Sequence, residues 1–207
     1  MIRVHLVHDT RLLRSALRAL LSTACDIETT ASSWRNAPST TRALRPHVCV
    51  ADVDCPGAVG SSALADGTGL AGLAPGRGDT AHELLVLANA DRPGCLRQAY
   101  EARALGYVDK NAPPDRLLAA IRRVAKGERF IDETLGFGFL QAAEIPLTKR
   151  ELSVLTLAAE GATVGDIARR LHLSHGTVRN YMAAITRKTG ARNRVDAIRI
   201  SQGAGWL

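Results

Sequence analysis

The chain predicts an α/β protein with a doubly wound parallel sheet, followed by a separate all-α helix-turn-helix unit. Three observations carry that reading. Short apolar runs alternate with helix-period segments through the first half, which argues for parallel strands covered by helices on both faces. The last third holds no strand-like run and reads as a series of capped helices. The net charge of +7 is also unevenly placed: from Leu147 onward ten cations face four anions, so only +1 is left for the first 146 residues.

Taken in order, Ile2 to Val7 is a strand interrupted by Arg3 and His5, and a helix with Leu12, Leu13, Ala16, Leu17, Leu20 and Leu21 follows. Ile27 to Thr30 gives a brief second strand, Val48 to Val53 the third, Leu84 to Ala88 the fourth and Gly106 to Asp109 the fifth. Helices are expected at Ala37 to Leu44, Cys95 to Ala104 and Pro114 to Lys126. The last of these turns Leu117, Leu118, Ile121 and Val124 inward and Arg122 and Arg123 outward, and with the first helix it can form a dimer face. Gly57 to Asp79 is rich in Gly, Ala and Pro and has little helical pattern, so a short or irregular third helix in a flexible loop is expected there. It carries neither GxxxxGK[ST] nor a strand-anchored GxGxxG, which argues against a phosphate-binding loop.

After Gly127 the segment ERFIDETLGFGFLQAAEIP, with Phe130, Phe137 and Phe139, reads as a partly ordered linker that docks on one domain. The expected division is 1–127, a linker at 128–146, and 147–207. No apolar run approaches the roughly 18 residues of a membrane span. The charged start MIRVHLVHD does not resemble a secretory signal, so a cytoplasmic protein without a membrane partner is expected. Cys25, Cys49, Cys55 and Cys95 lack the spacing of a zinc site and read as small core residues in a reducing compartment.

In open parallel sheets ligands bind beyond the carboxyl ends of the strands. His8, Asp9, Asp52, Asp54, Ala88, Asn89 and Lys110 fall at that rim. Carboxylates gathered around a lysine can hold a divalent cation and a phosphoryl group, although each residue alone is an ordinary solvated loop residue.

In the last third, Thr148-x-x-Glu151 has the capping-box form, Thr163 can cap the next helix, and Asn193, with Asp196 in the first turn, can cap the last. Thr163 to Lys188, TVGDIARRLHLSHGTVRNYMAAITRK, reads as two helices joined by a turn at His172, Leu173 and Ser174. Ile167, Ala168 and Leu171 form the inner side of the first. Ser174 caps the second, whose apolar stripe is Val178, Met182 and Ile185. Arg179, Asn180, Ala183 and Arg187 fall opposite that stripe. Such a face suits the DNA major groove, where arginine pairs with guanine, asparagine with adenine, and a small residue can meet a thymine methyl. The competing reading is an amphipathic helix with a solvated face, and the agreement of cap, turn, stripe and base-reading residue types favours DNA.

The stretch LTKRELSVLTLAAEGATVGDIARRLHLSHGTVRNYMAAITRKTGARNRVDAI resembles the C-terminal domain of the NarL/FixJ (LuxR-type) transcription regulators, and GTVRNYMAAI, GARNR and GWL look most like the DesR-type branch. The resemblance implies four helices, the third reading DNA and the fourth often serving dimerisation. It places Ser174, His175, Thr177, Arg179, Asn180 and Ala183 at the DNA and gives Arg187, Lys188 and Arg192 phosphate contacts. The family often has lysine at the position of Ala183.

HLVHDTRLLR, ADVDCPG and ALGYVDKNAPPDRLLAAIRRVAKGE resemble a response-regulator receiver domain, which implies a (βα)5 topology. By position, Asp52 matches the phosphoacceptor, Asp9 a direct Mg²⁺ ligand, Asp54 the residue whose carbonyl faces the metal, Lys110 the phosphate-pairing lysine and Tyr107 the aromatic switch. Two positions depart from the pattern. His8 stands where the family has an acidic residue, and Ala88 replaces a hydroxyl residue and cannot make its hydrogen bond. These departures point to a pseudo-receiver that controls dimerisation and DNA binding through a ligand or partner, without standard aspartyl phosphorylation and with Mg²⁺ not required. The alternative is a conventional response regulator phosphorylated on Asp52 by a sensor histidine kinase. Either way a homodimer on two half-sites of double-stranded DNA is expected, and no enzyme. A phosphate-transferring α/β enzyme would leave the last third unexplained.

Overall fold

The structure, a computed structural model, describes residues 1–55, 58, 69–75, 82–143 and 145–207. Six parallel strands, β1 (Ile2–Val7), β2 (Ile27–Ser32), β3 (Val48–Asp52), β4 (Glu83–Ala88), β5 (Gly106–Asp109) and β6 (Phe130–Ile131), form one sheet in the order β2-β1-β3-β4-β5-β6. The period of two along the central strands splits the core between the two faces. Cys49, Ala51, Leu84, Val86 and Ala88 point to one side, against α2 (Ala37–Leu44), α3 (Pro93–Glu101) and α5 (Gly136–Ala143). Val48, Val50, Leu85 and Leu87 point to the other, against α1 (Arg11–Leu21) and α4 (Pro114–Val124). Because both faces are covered, the central strands read as nearly continuous apolar runs.

His5, which breaks that pattern in β1, is fully buried and satisfied: its ring nitrogens lie 2.7 Å from Thr41 Oγ1 and 2.9 Å from Ser32 Oγ. Burial pulls its pKa down to about 4, so it sits in the core as a neutral ring. Gly106 lets β5 approach α4, since a Cβ there would lie 2.7 Å from Val124 Cγ2. On α1, Leu17, Leu20 and Leu21 pack inward, whereas Leu12 and Leu13 are 77% and 50% exposed. Leu117, Ile121 and Val124 of α4 are buried and Leu118 is half-buried, with Arg122 paired to Asp26 and Arg123 to Glu128 at the surface.

The segment expected as a partly ordered linker docks on the sheet domain and is more regular than its composition suggests. Phe130–Ile131 adds β6 to the sheet beside β5, Asp132 caps a 3-10 turn over Glu133–Leu135, and α5 packs on α3. Leu135 and Ala142 of this segment are buried in the same core as Val86 and Leu96. The irregular third helix anticipated within Gly57 to Asp79 falls largely outside the described residues; within that span Leu70–Leu73 forms a 3-10 turn.

The remaining four helices, α6 (Lys149–Ala159), α7 (Val164–Leu171), α8 (His175–Thr189) and α9 (Arg194–Gly203), enclose a separate core of Leu147, Val154, Leu155, Ile167, Val178, Ile185 and Ala197. Their starts are those the sequence marked. Thr148 and Glu151 close a reciprocal capping box, Thr163 and Asp166 form a second, and Ser174 and Asn193 accept from Thr177 N–H and Asp196 N–H. Gly190, at φ +67°, ends α8 in the left-handed region that glycine adopts without strain. Among the described residues no helix is long and apolar enough to cross a membrane.

Candidate acidic pocket and nucleic-acid interface

The pocket forms where β1, β3, β4 and β5 end together. Asp52, the last residue of β3, is 5% exposed, and both of its carboxylate oxygens are engaged. Lys110 Nζ lies 2.5 Å from Oδ1, which also accepts the Asp54 N–H, and His8 Nε2 lies 3.1 Å from Oδ2. His8 Nδ1 accepts the Thr10 N–H at 3.0 Å, so the proton of a neutral ring sits on Nε2 and is aimed at Asp52. Asp54 pairs through Oδ2 with Lys110 Nζ at 2.7 Å and accepts from Asn89 Nδ2 at 2.7 Å. Burial alone would pull Lys110 down, but hydrogen bonds and charge from Asp52 and Asp54 outweigh it and hold the ammonium above its ordinary value.

Asp9 sits beside this cluster, its backbone hydrogen-bonded to Cys55, but one of its carboxylate oxygens is turned to a neighbouring turn. Asp9 Oδ1 accepts the backbone N–H of Trp34 at 3.0 Å, at the start of the 3-10 turn before α2. Trp34 itself donates its indole N–H to the Asp52 carbonyl at 3.2 Å. The nearest metal-ligand grouping among the described residues is instead His8, Asp52 and Cys55. Burial, aided by the charges of Asp52 and Asp9, pushes the Cys55 thiol up to about 11. Magnesium takes an octahedron of hard oxygens. Here a ring N–H and an ammonium cover Asp52, Asp54 is held by Lys110, Asn89 and the nearby Arg92 guanidinium, one oxygen of Asp9 is taken by Trp34, and the other close donors are an imidazole and a protonated thiol. These residues do not fit Mg²⁺.

Ala88, fully buried at the end of β4, presents only a methyl group to the pocket. Tyr107 is buried, its ring edge-on to Phe139 of α5 with centroids 5.0 Å apart, and its hydroxyl has no hydrogen-bond partner among the described residues. Sequence reasoning did not single out Trp34 or Arg92, whose guanidinium lies 3.7 Å from Asp54 Oδ1. Both act through tertiary contacts that no local spacing announces.

In the helical domain, α8 buries Val178 and Ile185, half-buries Tyr181 and Met182, and exposes His175, Arg179, Asn180, Ala183 and Arg187. Among the described residues neither Arg179 nor Arg187 has an ion-pair partner, so their donors are available to a ligand. Ser174 is occupied as the cap, 2.9 Å from the Thr177 hydroxyl, and Thr177 is half-buried. Lys188, expected to meet a phosphate, places Nζ 2.8 Å from Oε2 of Glu151, which is 4% exposed. Arg192 pairs loosely with Asp196 at 3.5 Å.

Residues 145–201 match the family model for bacterial regulatory proteins of the luxR family. Across its whole length the chain is 51% identical to the response regulator RamR of Streptomyces coelicolor, covering 98% of that protein. It is 33% identical to the transcriptional regulatory protein DesR of Bacillus subtilis, covering all of both chains. The fold is that of RcsB from Salmonella enterica serovar Typhimurium, solved bound to promoter P1flhDC with the phosphomimetic BeF3⁻; identity is 20%, the TM-score 0.59, and the match covers 98% of each chain. The parallel sheet with its acidic rim, the capped helix-turn-helix and these relatives agree: the chain belongs to the NarL/FixJ family of response regulators, DNA-binding transcription regulators with a LuxR-type C-terminal domain.

Proposed function

We propose that this regulator binds double-stranded DNA as a cytoplasmic homodimer on two half-sites, and that its sheet domain is a pseudo-receiver that does not rely on standard aspartyl phosphorylation. One observation carries the second part: the ring N–H of His8 covers Oδ2 of Asp52, filling the place that an attacking carboxylate must keep open, while Lys110, which a phosphorylated pocket also needs, holds the other oxygen. Ala88 supports it, because the pocket offers no hydroxyl there for an incoming phosphoryl group. Control then falls to dimerisation, a ligand or a protein partner. Leu12 and Leu13, exposed on α1 at one flank of the sheet, suit a dimer face.

The test is incubation with acetyl phosphate and Mg²⁺ followed by intact-mass measurement. The unmodified mass is expected. A stoichiometric phosphoryl gain that Asp52→Ala abolishes would sink the proposal. That outcome would favour the second reading, phosphorylation by a sensor histidine kinase, which the retained Asp52 and Lys110 support.

On the DNA side the exposed face of α8 carries the proposal. Arg179→Ala is expected to lower discrimination at a single base pair by about 1–3 kcal/mol, while Arg187→Ala weakens binding to all duplexes alike and flattens its salt dependence. Competition binding against single-base operator variants at two salt concentrations separates the two effects. The reverse ranking removes the assignment of Arg179 to base reading.

A further inference from the structure

Three donors of different chemistry converge at the end of β3. His8, Asp52 and Cys55 each bring a ligand atom within 4.8 Å of the other two, and they are 4%, 5% and 6% exposed. The imidazole atom turned to Asp52 is Nε2, 3.1 Å from Oδ2. Ligand atoms on a tetrahedral zinc ion stand roughly 3.3–3.6 Å apart, so the cluster has to close by little more than about 1 Å at its longest edge. Cys55 also belongs to the apolar core with Val53 and Ala58, which is where a small buried thiol ordinarily sits. A core role does not call for the rest: a carboxylate and an imidazole beside the sulfur, and an Asp9 backbone hydrogen bond to it that favours the thiolate.

We propose that this cluster is a binding site for a borderline transition-metal ion of the Zn²⁺ class, held by His8 Nε2, Asp52 Oδ2 and Cys55 Sγ with a water as fourth ligand. Imidazole, carboxylate and thiolate are the donors such an ion selects, and the same mixture turns away Mg²⁺. Binding sends the Cys55 thiol proton to solvent and shifts the His8 ring proton from Nε2 to Nδ1, so one proton leaves for each ion bound. The ion takes the place of the ring N–H that meets Asp52 in the structure. The shifted proton faces the Thr10 N–H, which donates to Nδ1 at 3.0 Å, so one backbone hydrogen bond is exchanged for a metal–nitrogen bond. Lys110 keeps its bonds to Asp52 Oδ1 and Asp54 throughout. Two carboxylates there face one ammonium, with Arg92 standing off at 3.7 Å, and the ion and thiolate together add one positive charge to them. The site deepens the pseudo-receiver reading, on which it rests, by naming a ligand that claims the oxygen an attacking carboxylate needs.

The test is a titration of the untagged, reduced full chain with Co²⁺, read by the sulfur-to-cobalt charge-transfer band, followed by displacement with Zn²⁺. One equivalent of Co²⁺ is expected to bind in the presence of excess Mg²⁺, and Zn²⁺ to remove the band. Cys55→Ser should abolish the band, whereas Cys25→Ser, at the exposed thiol, should keep it. His8→Gln should weaken Co²⁺ by more than the roughly 10–100-fold that loss of an outer partner costs. Thermal midpoints without metal show whether the variants fold. Should they not, the wild type alone decides, by the release of one proton per Zn²⁺ in weakly buffered solution. No band in the wild type, a band that survives Cys55→Ser, or no proton release overturns the site. The phosphodonor experiment is independent: failure of the titration with an unmodified mass leaves the pseudo-receiver reading standing, and a phosphoryl gain removes that reading even where the metal binds.

Discussion

Lys188→Met is expected to lower the thermal midpoint of the C-terminal domain by roughly 10 °C, from a loss of about 2 kcal/mol. The cause is the carboxylate it abandons. Glu151 is the third residue of α6, where Oε2 accepts the Thr148 N–H at 2.7 Å and closes the capping box, and the same oxygen takes the Lys188 ammonium at 2.8 Å. Removing the cation leaves a buried charge with Thr148 as its remaining partner, which costs about 3–5 kcal/mol at a fully buried pair. The lysine is about a third exposed, and water reaching that side reduces the figure.

Burial pushes Glu151 up, but the bonds from Lys188 and Thr148 prevail and hold it below its ordinary 4.5. A carboxylate depressed in this way contributes stability above about pH 4.5 that is lost as the pH falls through its folded value. Wild type and Lys188→Met should therefore converge in acid. Adding Glu151→Gln to Lys188→Met should recover much of the midpoint, since the amide still accepts from Thr148 and no charge is stranded. If Lys188→Met leaves the midpoint where it was and weakens DNA binding instead, the lysine is the phosphate contact its position in the motif suggested.

The contrast between Lys188 and Arg187 shows what the sequence could and could not convey. Adjacent cations in the last turn of a recognition helix lie about 100° apart on a helical wheel, which sets Lys188 nearer the apolar stripe than Arg187 but does not say what it meets there. The partner that separates them, Glu151, lies 37 residues away on another helix. What is local was legible. The strands followed from apolar runs, the helix starts from Thr148, Thr163, Ser174 and Asn193, and the rim positions of His8, Asp52, Asp54 and Lys110 from the ends of those strands. Which way a rim residue turns is decided by its neighbours in space. Asp9 lies beside the rim, yet one of its carboxylate oxygens turns to Trp34 because the turn before α2 offers an uncommitted N–H there. β6, two residues long, is too short for any periodicity to reveal, and its pairing depends on β5 being in place.

The pair His8→Asp with Ala88→Ser is expected to turn the pocket into one that binds Mg²⁺ and takes a phosphoryl group from acetyl phosphate. In the native pocket the ring N–H of His8 fills one side of Asp52 and the Lys110 ammonium the other, so the carboxylate is neutralised without a metal. Aspartate at position 8 removes that N–H, adds a third carboxylate to Asp52 and Asp54 and leaves excess negative charge that a hard divalent cation relieves. At ten times its dissociation constant such a cation stabilises the fold by about 1.4 kcal/mol, which is visible as a rise in midpoint that EDTA reverses. Serine at position 88 restores a donor for a phosphoryl oxygen. Until that oxygen arrives, its buried hydroxyl costs about 1–3 kcal/mol if left unpaired, which lowers the midpoint of the double variant with and without Mg²⁺ alike and leaves the Mg²⁺ rise that of His8→Asp alone. The wild type should show neither the Mg²⁺ shift nor the mass gain. If the wild type responds to Mg²⁺ as strongly as the double variant, the blockade of Asp52 by His8 is not what governs this pocket, and the conventional phosphorylation reading takes its place.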